Sequence, residues 1–203
     1  MSYLDSDRPW VSIWLHPRNT IEEWVQKTEK KHLVWLICLS GYAIYLEQAA
    51  GRELGDSTAL PAIFLFGLIW GPLYGWITWF LIGGLSHLFS RLLGGKADWA
   101  ETRIAVAWAT LPLIAKLLLW IPQLALFGKE MFTEQTPVLD SSPVLMLLFL
   151  LFWMVDMSLN VWFFVTLSKA LGEVHRFSAW QGFFSLVLIV FAFSFLLVFT
   201  VLF

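Results

Sequence analysis

The sequence predicts an all-α fold: a polytopic membrane helical bundle of five transmembrane helices, with a short amphipathic interfacial helix at the N-terminus. Three observations predict it. Apolar residues make up 59% of the 203 residues and charged residues only 14%, whereas a soluble domain carries about 25% charged residues. The mean hydropathy is +0.72, and the apolar residues gather into runs of the length, about 20 residues, that a helix needs to cross a bilayer. The chain also holds 13 Trp and 18 Phe, rings suited to the places where side chains meet lipid and headgroups. The same composition excludes a soluble enzyme, a disordered chain and a disulfide scaffold. Cys38 is the only cysteine; set among Leu36, Ile37 and Leu39, it reads as a small buried apolar residue. The formal net charge is −2, and no basic run is long enough to hold a nucleic-acid backbone. The start of the chain, Met1 to Arg8, is acidic and polar, so no cleavable signal peptide is expected.

The expected organisation is a cytosolic or interfacial segment, residues 1–32, ahead of a five-span membrane domain, residues 33–203. In the first segment Trp10, Ile13, Trp14, Ile21, Trp24 and Val25 alternate with charged residues. Thr20 with Glu23 has the spacing of a capping box, which predicts a short amphipathic helix from Ile21 to about Lys30. Trp10, Trp14 and Trp24 are the segment's candidate interfacial anchors. The apolar stripe suits either the headgroup layer or packing beneath the membrane domain.

The first span is expected at about 33–50, ending at Glu47, Gln48 and Gly51. The second, at about 57–93, is too long for one straight crossing, and Gly71-Pro72 predicts a kink because proline loses a backbone bond and clashes with the preceding turn. Reading Gly71-Pro72 as a hairpin would leave half-spans of about 14 residues, too short to cross. Gly94-Gly95 ends this helix. Asp98 with Glu101 caps the third span, at about 99–126, in which Pro112 and Pro122 are expected to release the carbonyls of Trp108 and Leu118. Ser142-Pro143 opens the fourth, at about 143–168. Ser178 with Gln181 opens the fifth, at about 179–203.

Basic residues mark the cytoplasmic side of a membrane protein. Ten of them flank the spans on one side, from Arg8 to Arg176, and only Arg52 and Lys129 lie on the other. This places the N-terminus in the cytoplasm and the C-terminus outside.

Ionisable groups inside spans have first claim on function, since a central charge costs on the order of 2.5–3.5 kcal/mol. Lys116 lies halfway along the third span and Asp156 halfway along the fourth, with Asn160 one turn further on the same face. The three are expected to form an intramembrane polar cluster, with Gln123 or Ser158 satisfying remaining donors. It is either a tie that fixes helix register or a relay for a proton or ion. Gly67, Gly71 and Gly75 repeat at the spacing that lets helix backbones approach closely; with five helices available, packing within the chain is favoured over a homodimer. His87 and His175 are weak metal candidates with Glu173 and Arg176 nearby, but no paired metal-ligand spacing supports them. No P-loop and no nucleophile elbow are present, so neither an enzyme nor a cofactor is expected.

Several segments carry a family resemblance. Pro9-Trp10, Ile13-Trp14, Pro17-Arg18 and Thr20-Ile21 resemble the opening of bacterial members of the Yip domain family, relatives of the Ypt/Rab-interacting membrane proteins. Gly94-Gly95-Lys96, Arg103, Ala107-Trp108 and Pro112 look like that family's pattern between its second and third spans. Trp162 through Leu171-Gly172, His175 and Ser178 are similar to its approach to the last span. The matches cover most of the chain. The resemblance implies five spans, a cytosolic N-terminus and, from the bacterial members, a plasma-membrane location. In eukaryotic relatives it implies roles in vesicle traffic and binding of prenylated small GTPases. This chain has a very short cytosolic N-terminal region and lacks the Asp-Leu-Tyr-Gly-Pro motif, keeping only Leu73-Tyr74-Gly75 inside a span, so GTPase binding is not carried over. The expected partners are the lipid bilayer and other membrane proteins.

The leading expectation is a non-enzymatic integral membrane protein that organises the bilayer or partner proteins at the cytoplasmic face. The alternative is a small transporter or channel for an ion, proton or lipid headgroup, centred on Lys116, Asp156 and Asn160.

Overall fold

A helix satisfies its own backbone polar groups where no water can, and helix is the only regular structure among the residues that the computed structural model describes, 8–202. The acidic start, residues 1–7, and residue 203 of the expected fifth span lie outside the described residues. Among the described residues, five segments are long and apolar enough to cross a membrane: Lys30–Gly51, Leu60–Leu92, Trp99–Phe132, Pro143–Val174 and Ala179–Thr200. The chain is a multi-pass membrane protein with a helical bundle architecture.

Two short helices come first, α1 (Pro9–Leu15) and α2 (Pro17–Lys27). The single helix expected from Ile21 is therefore corrected. Pro9 and Pro17 each sit in a first helical turn, where a missing N–H leaves nothing unsatisfied. Thr20 is not a cap: it lies within α2, and its hydroxyl donates to the His16 carbonyl at 2.9 Å and contacts Ser12 Oγ at 2.9 Å. The first span, α3 (Lys30–Gly51), starts three residues earlier than expected. The second, α4 (Leu60–Leu92), is one helix running through Pro72.

Its end follows the glycine-terminated pattern. Gly94, at φ +89°, turns the chain; the Gly95 N–H reaches the Ser90 carbonyl at 2.8 Å and the Gly94 N–H the Arg91 carbonyl at 3.0 Å, which closes the last carbonyls of the helix.

The third span departs from expectation. It is broken at Thr110 into α5 (Trp99–Ala109) and α6 (Leu111–Phe127). Pro112 falls in the first turn of α6, the one place in a helix where proline is unstrained, so the chain restarts there instead of bending. Pro122 lies inside α6 without interrupting it. A short helix α7 (Pro137–Asp140) precedes α8 (Pro143–Val174), and α9 (Ala179–Leu202) is last. The capping boxes form as spaced. The Asp98 N–H donates to Glu101 and the Glu101 N–H to Asp98, and Ser178 and Gln181 exchange the equivalent bonds.

The chain forms two compact units. One comprises Met1–Leu33, Trp79–Ala109 and Phe164–Phe203; the other comprises Val34–Thr78 and Thr110–Phe163. In the first, Ile13, Ile21, Trp108, Leu167 and Leu171 are buried with Thr102, His175 and Ser185. In the second, Tyr45, Leu46, Ala49, Ile63, Trp120 and Phe132 form the core, while Leu147, Leu150, Trp153 and Met154 of α8 are exposed. Polar groups inside and large apolar groups outside are what a hydrocarbon solvent selects.

Candidate functional site

Lys116 is the group whose burial needs most explanation, because its side chain is 1% exposed. Helix α6 aims it within the second unit at α3 and α8. Its ammonium contacts Glu47 Oε1 at 2.5 Å, Asn160 Oδ1 at 2.8 Å and Asp156 at 3.2 Å. A lysine has three donors, and these partners take all of them. Asn160 in turn donates from Nδ2 to Asp156 Oδ2 at 3.1 Å, which holds the carboxylate in place. The structure thus brings Lys116, Asp156 and Asn160 together. Ser158 turns instead to the Met154 carbonyl at 2.8 Å, and Gln123 is buried two turns along α6.

Glu47 is the site residue that sequence reasoning missed. It lies one turn from the end of α3, where a carboxylate looks like a boundary marker. Its side chain is 39% exposed, so one end of the cluster is open. Two carboxylates around one ammonium leave a formal surplus of one negative charge, which a purely structural ion pair does not require.

The tryptophans of the N-terminal segment gather in the first unit. Trp10 and Trp24 each lie 5.4 Å, centroid to centroid, from Trp108, whose indole N–H donates to Thr28 Oγ1 at 2.8 Å. Trp14 donates its indole N–H to the Trp10 carbonyl at 3.0 Å. Arg18 secures the second helix by reaching the Phe177 carbonyl at 3.2 Å and Glu173 at 4.0 Å. Gly172 makes room for it: a Cβ there would come within 2.8 Å of the guanidinium.

The glycine stripe packs within the chain. A Cβ on Gly75 would lie 2.1 Å from the Ile37 carbonyl oxygen, and one on Gly71 2.9 Å from Cα of Tyr42. Gly67 faces the rings of Tyr42 and Tyr45. The counterpart on α3 is Gly41, whose Cβ would meet the Gly71 carbonyl at 2.2 Å.

His87 and His175 do meet, through a hydroxyl. Thr102 Oγ1 lies 3.1 Å from His87 Nδ1 and 3.2 Å from His175 Nε2, and donates to the Asp98 carbonyl at 2.9 Å. Both histidines therefore turn a nitrogen to Thr102. Burial, with the nearby His87 and Arg91 charges adding to it, pulls His175 down to about 4. Arg103 stacks over Trp79 and Trp99 at 5.3 and 5.1 Å, a half-buried cation over ring faces. Three exposed carboxylates, Glu53, Asp56 and Glu134, hold oxygens within 4.8 Å of one another. Such a trio is able to hold a metal ion, but Asp56 already accepts the Glu134 backbone N–H at 3.3 Å, a bond that serves the loop itself.

No curated protein and no solved structure matches the chain significantly. A family model described as the Yip1 domain matches residues 11–202, a range that takes in all five spans, the Trp108 platform and the Lys116 cluster; the chain belongs to the Yip1 domain family.

Proposed function

We propose that the protein is a non-enzymatic organiser of lipid or partner proteins at the cytoplasmic face of a bacterial plasma membrane. In this reading residues 1–32 form an interfacial segment on a five-span domain of residues 33–203, with the C-terminus outside. The observation that carries it is the outward face of α1. That helix buries Ser12 and Ile13 and turns outward Trp10, Val11, at 57% exposed, and Leu15, at 72%. Each apolar Å² left in water costs about 25 cal/mol, so such a face belongs in the boundary between headgroups and acyl chains. Helix α2 turns Asn19, Glu22, Gln26 and Lys27 outward instead, as a water-facing helix does. The unit holding both helices also contains ten of the 13 basic residues, the charge bias of a cytoplasmic side.

The test has two parts. A nitroxide at Val11 in the reconstituted protein should report the headgroup–acyl boundary, and one at Gln26 should report water. The variant Trp10→Ser/Val11→Ser/Leu15→Ser should then lose lipids or proteins that co-purify with the wild type in mild detergent. A water-exposed Val11 with an unchanged co-purifying set would overturn the proposal.

The surplus carboxylate at Lys116 favours a second reading, a small transporter or channel. Its measurement is ion or proton flux into reconstituted vesicles, with Asp156→Asn as the control. Flux that depends on Asp156 would displace the organising role.

A further inference from the structure

The second unit contains a groove of about 520 Å³ walled by α3, α4 and α6 that neither reading of function uses. Trp35, Leu39 and Tyr42 line it from α3, Leu68 and Pro72 from α4, and Leu117 from α6. The α3 positions recur at helical spacing, so they form one wall. On α4, Leu68 and Pro72 face the groove, whereas Gly71 and Gly75 face the backbone of α3. No acidic or basic side chain lines the groove, which removes ions, headgroups and charged peptides as occupants.

We infer that this groove holds one acyl chain of a membrane phospholipid. Its wall on α3 runs from Trp35 to Leu46, a length of about 16 Å at about 1.5 Å per residue. That is close to half of the about 30 Å hydrocarbon core, the reach of a chain from a single leaflet. Spread over that length, the volume corresponds to a cross-section of about 30 Å². A helix with its side chains is about 10 Å across, too wide to lie inside a groove of this cross-section, whereas an extended hydrocarbon chain is narrow enough to lie along it. Hydrocarbon gains nothing by leaving one apolar surface for another; the preference for the groove rests on contacts along both flanks of the chain, which a convex helix face offers on one side only.

The experiment uses the full protein in nanodiscs containing a phosphatidylcholine with a photoactivatable diazirine in one tail. Label should concentrate on the half-buried groove residues Leu39 and Leu117, severalfold above the more exposed α8 residues Leu150 and Met154. The groove-filling variants Leu39→Trp and Leu68→Trp, on different helices, should lose that excess and leave α8 labelling unchanged. Helical content and thermal unfolding of each variant show whether it folds, and the wild-type map decides on its own if neither does. Even labelling of groove and α8, an excess that survives filling in a folded variant, or cross-linking to a second protein chain through the groove would overturn the inference.

Discussion

Lys116 uses every donor it has, and the partners differ in how readily they tolerate its loss. With Lys116→Met, Glu47 and Asp156 would keep like charges on the emptied site. Breaking a fully buried pair costs about 3–5 kcal/mol; because Glu47 is 39% exposed, the expected loss is about 2–3 kcal/mol, measured by reversible unfolding in mixed detergent micelles. The double variant Lys116→Met/Asp156→Leu should recover much of it, and no recovery would mean that charge is not what holds these residues. The meeting of Lys116, Asp156 and Asn160 was legible from their positions along neighbouring spans. Glu47 was not, because position along a helix separates a boundary carboxylate from a buried partner poorly. His175 allows a second check. Above about pH 6.5 its ring is neutral in the folded and unfolded chain alike and adds no pH dependence. Between there and about 4, the unfolded chain binds a proton that the folded one refuses, so stability falls as pH falls; below that window the difference stays constant. Melting temperature plotted against pH should therefore decline less steeply in His175→Gln over this interval, and parallel profiles would refute the assignment.

Helix ends and helix contacts were unequally readable. The Asp98–Glu101 and Ser178–Gln181 boxes were legible because each follows a connection with no helical pattern of its own. The Thr20–Glu23 pair failed because Thr20 already sits in a helix begun by Pro17, where a threonine hydroxyl bonds back to the carbonyl four residues earlier. The glycine stripe on α4 showed that a close approach was coming, but its target, Gly41, is a single glycine on α3 that no spacing rule singles out. That approach makes a sharp contrast testable. Gly75→Ala would set a methyl 2.1 Å from the Ile37 carbonyl oxygen, and backbone cannot swing aside, so a loss of about 2 kcal/mol is expected. Gly51→Ala meets nothing within 4 Å and should be neutral or slightly stabilising, since alanine is the better helix former. Equal effects in chemical unfolding would rule out backbone contact as the role of the stripe. The end of α8 repeats the α4 pattern without its glycine. The Phe177 N–H reaches the Gly172 carbonyl at 3.0 Å, yet Arg176 takes the positive φ, +56°. A side chain there costs about 1 kcal/mol, so Arg176→Gly should raise the unfolding midpoint. A drop would show that contacts of the Arg176 side chain outweigh the strain.

At the scale of the whole molecule the solvent dominates. Composition alone was enough to identify a bilayer protein, because no arrangement of these side chains hides so much apolar surface from water. Packing detail was not legible in the same way: hydrocarbon tolerates many helix arrangements of equal hydropathy, and the choice among them rests on single residues such as Gly41 and Thr110. An odd number of crossings would have a consequence that needs none of that detail, namely that the two ends lie in different compartments. The proposed direction follows from where lysines and arginines flank the spans, ten against two, since cytoplasmic connections retain basic residues. Reporters active in only one compartment, fused separately to each end, test both statements. A cytosolic signal from the N-terminal fusion and an external one from the C-terminal fusion are expected. Both ends on one side would overturn the five-span reading, most directly by making Pro72 or Thr110 a turn. The reverse orientation would keep five spans but move α1 to the outer surface, and the organising role proposed for the cytoplasmic face would fall with it.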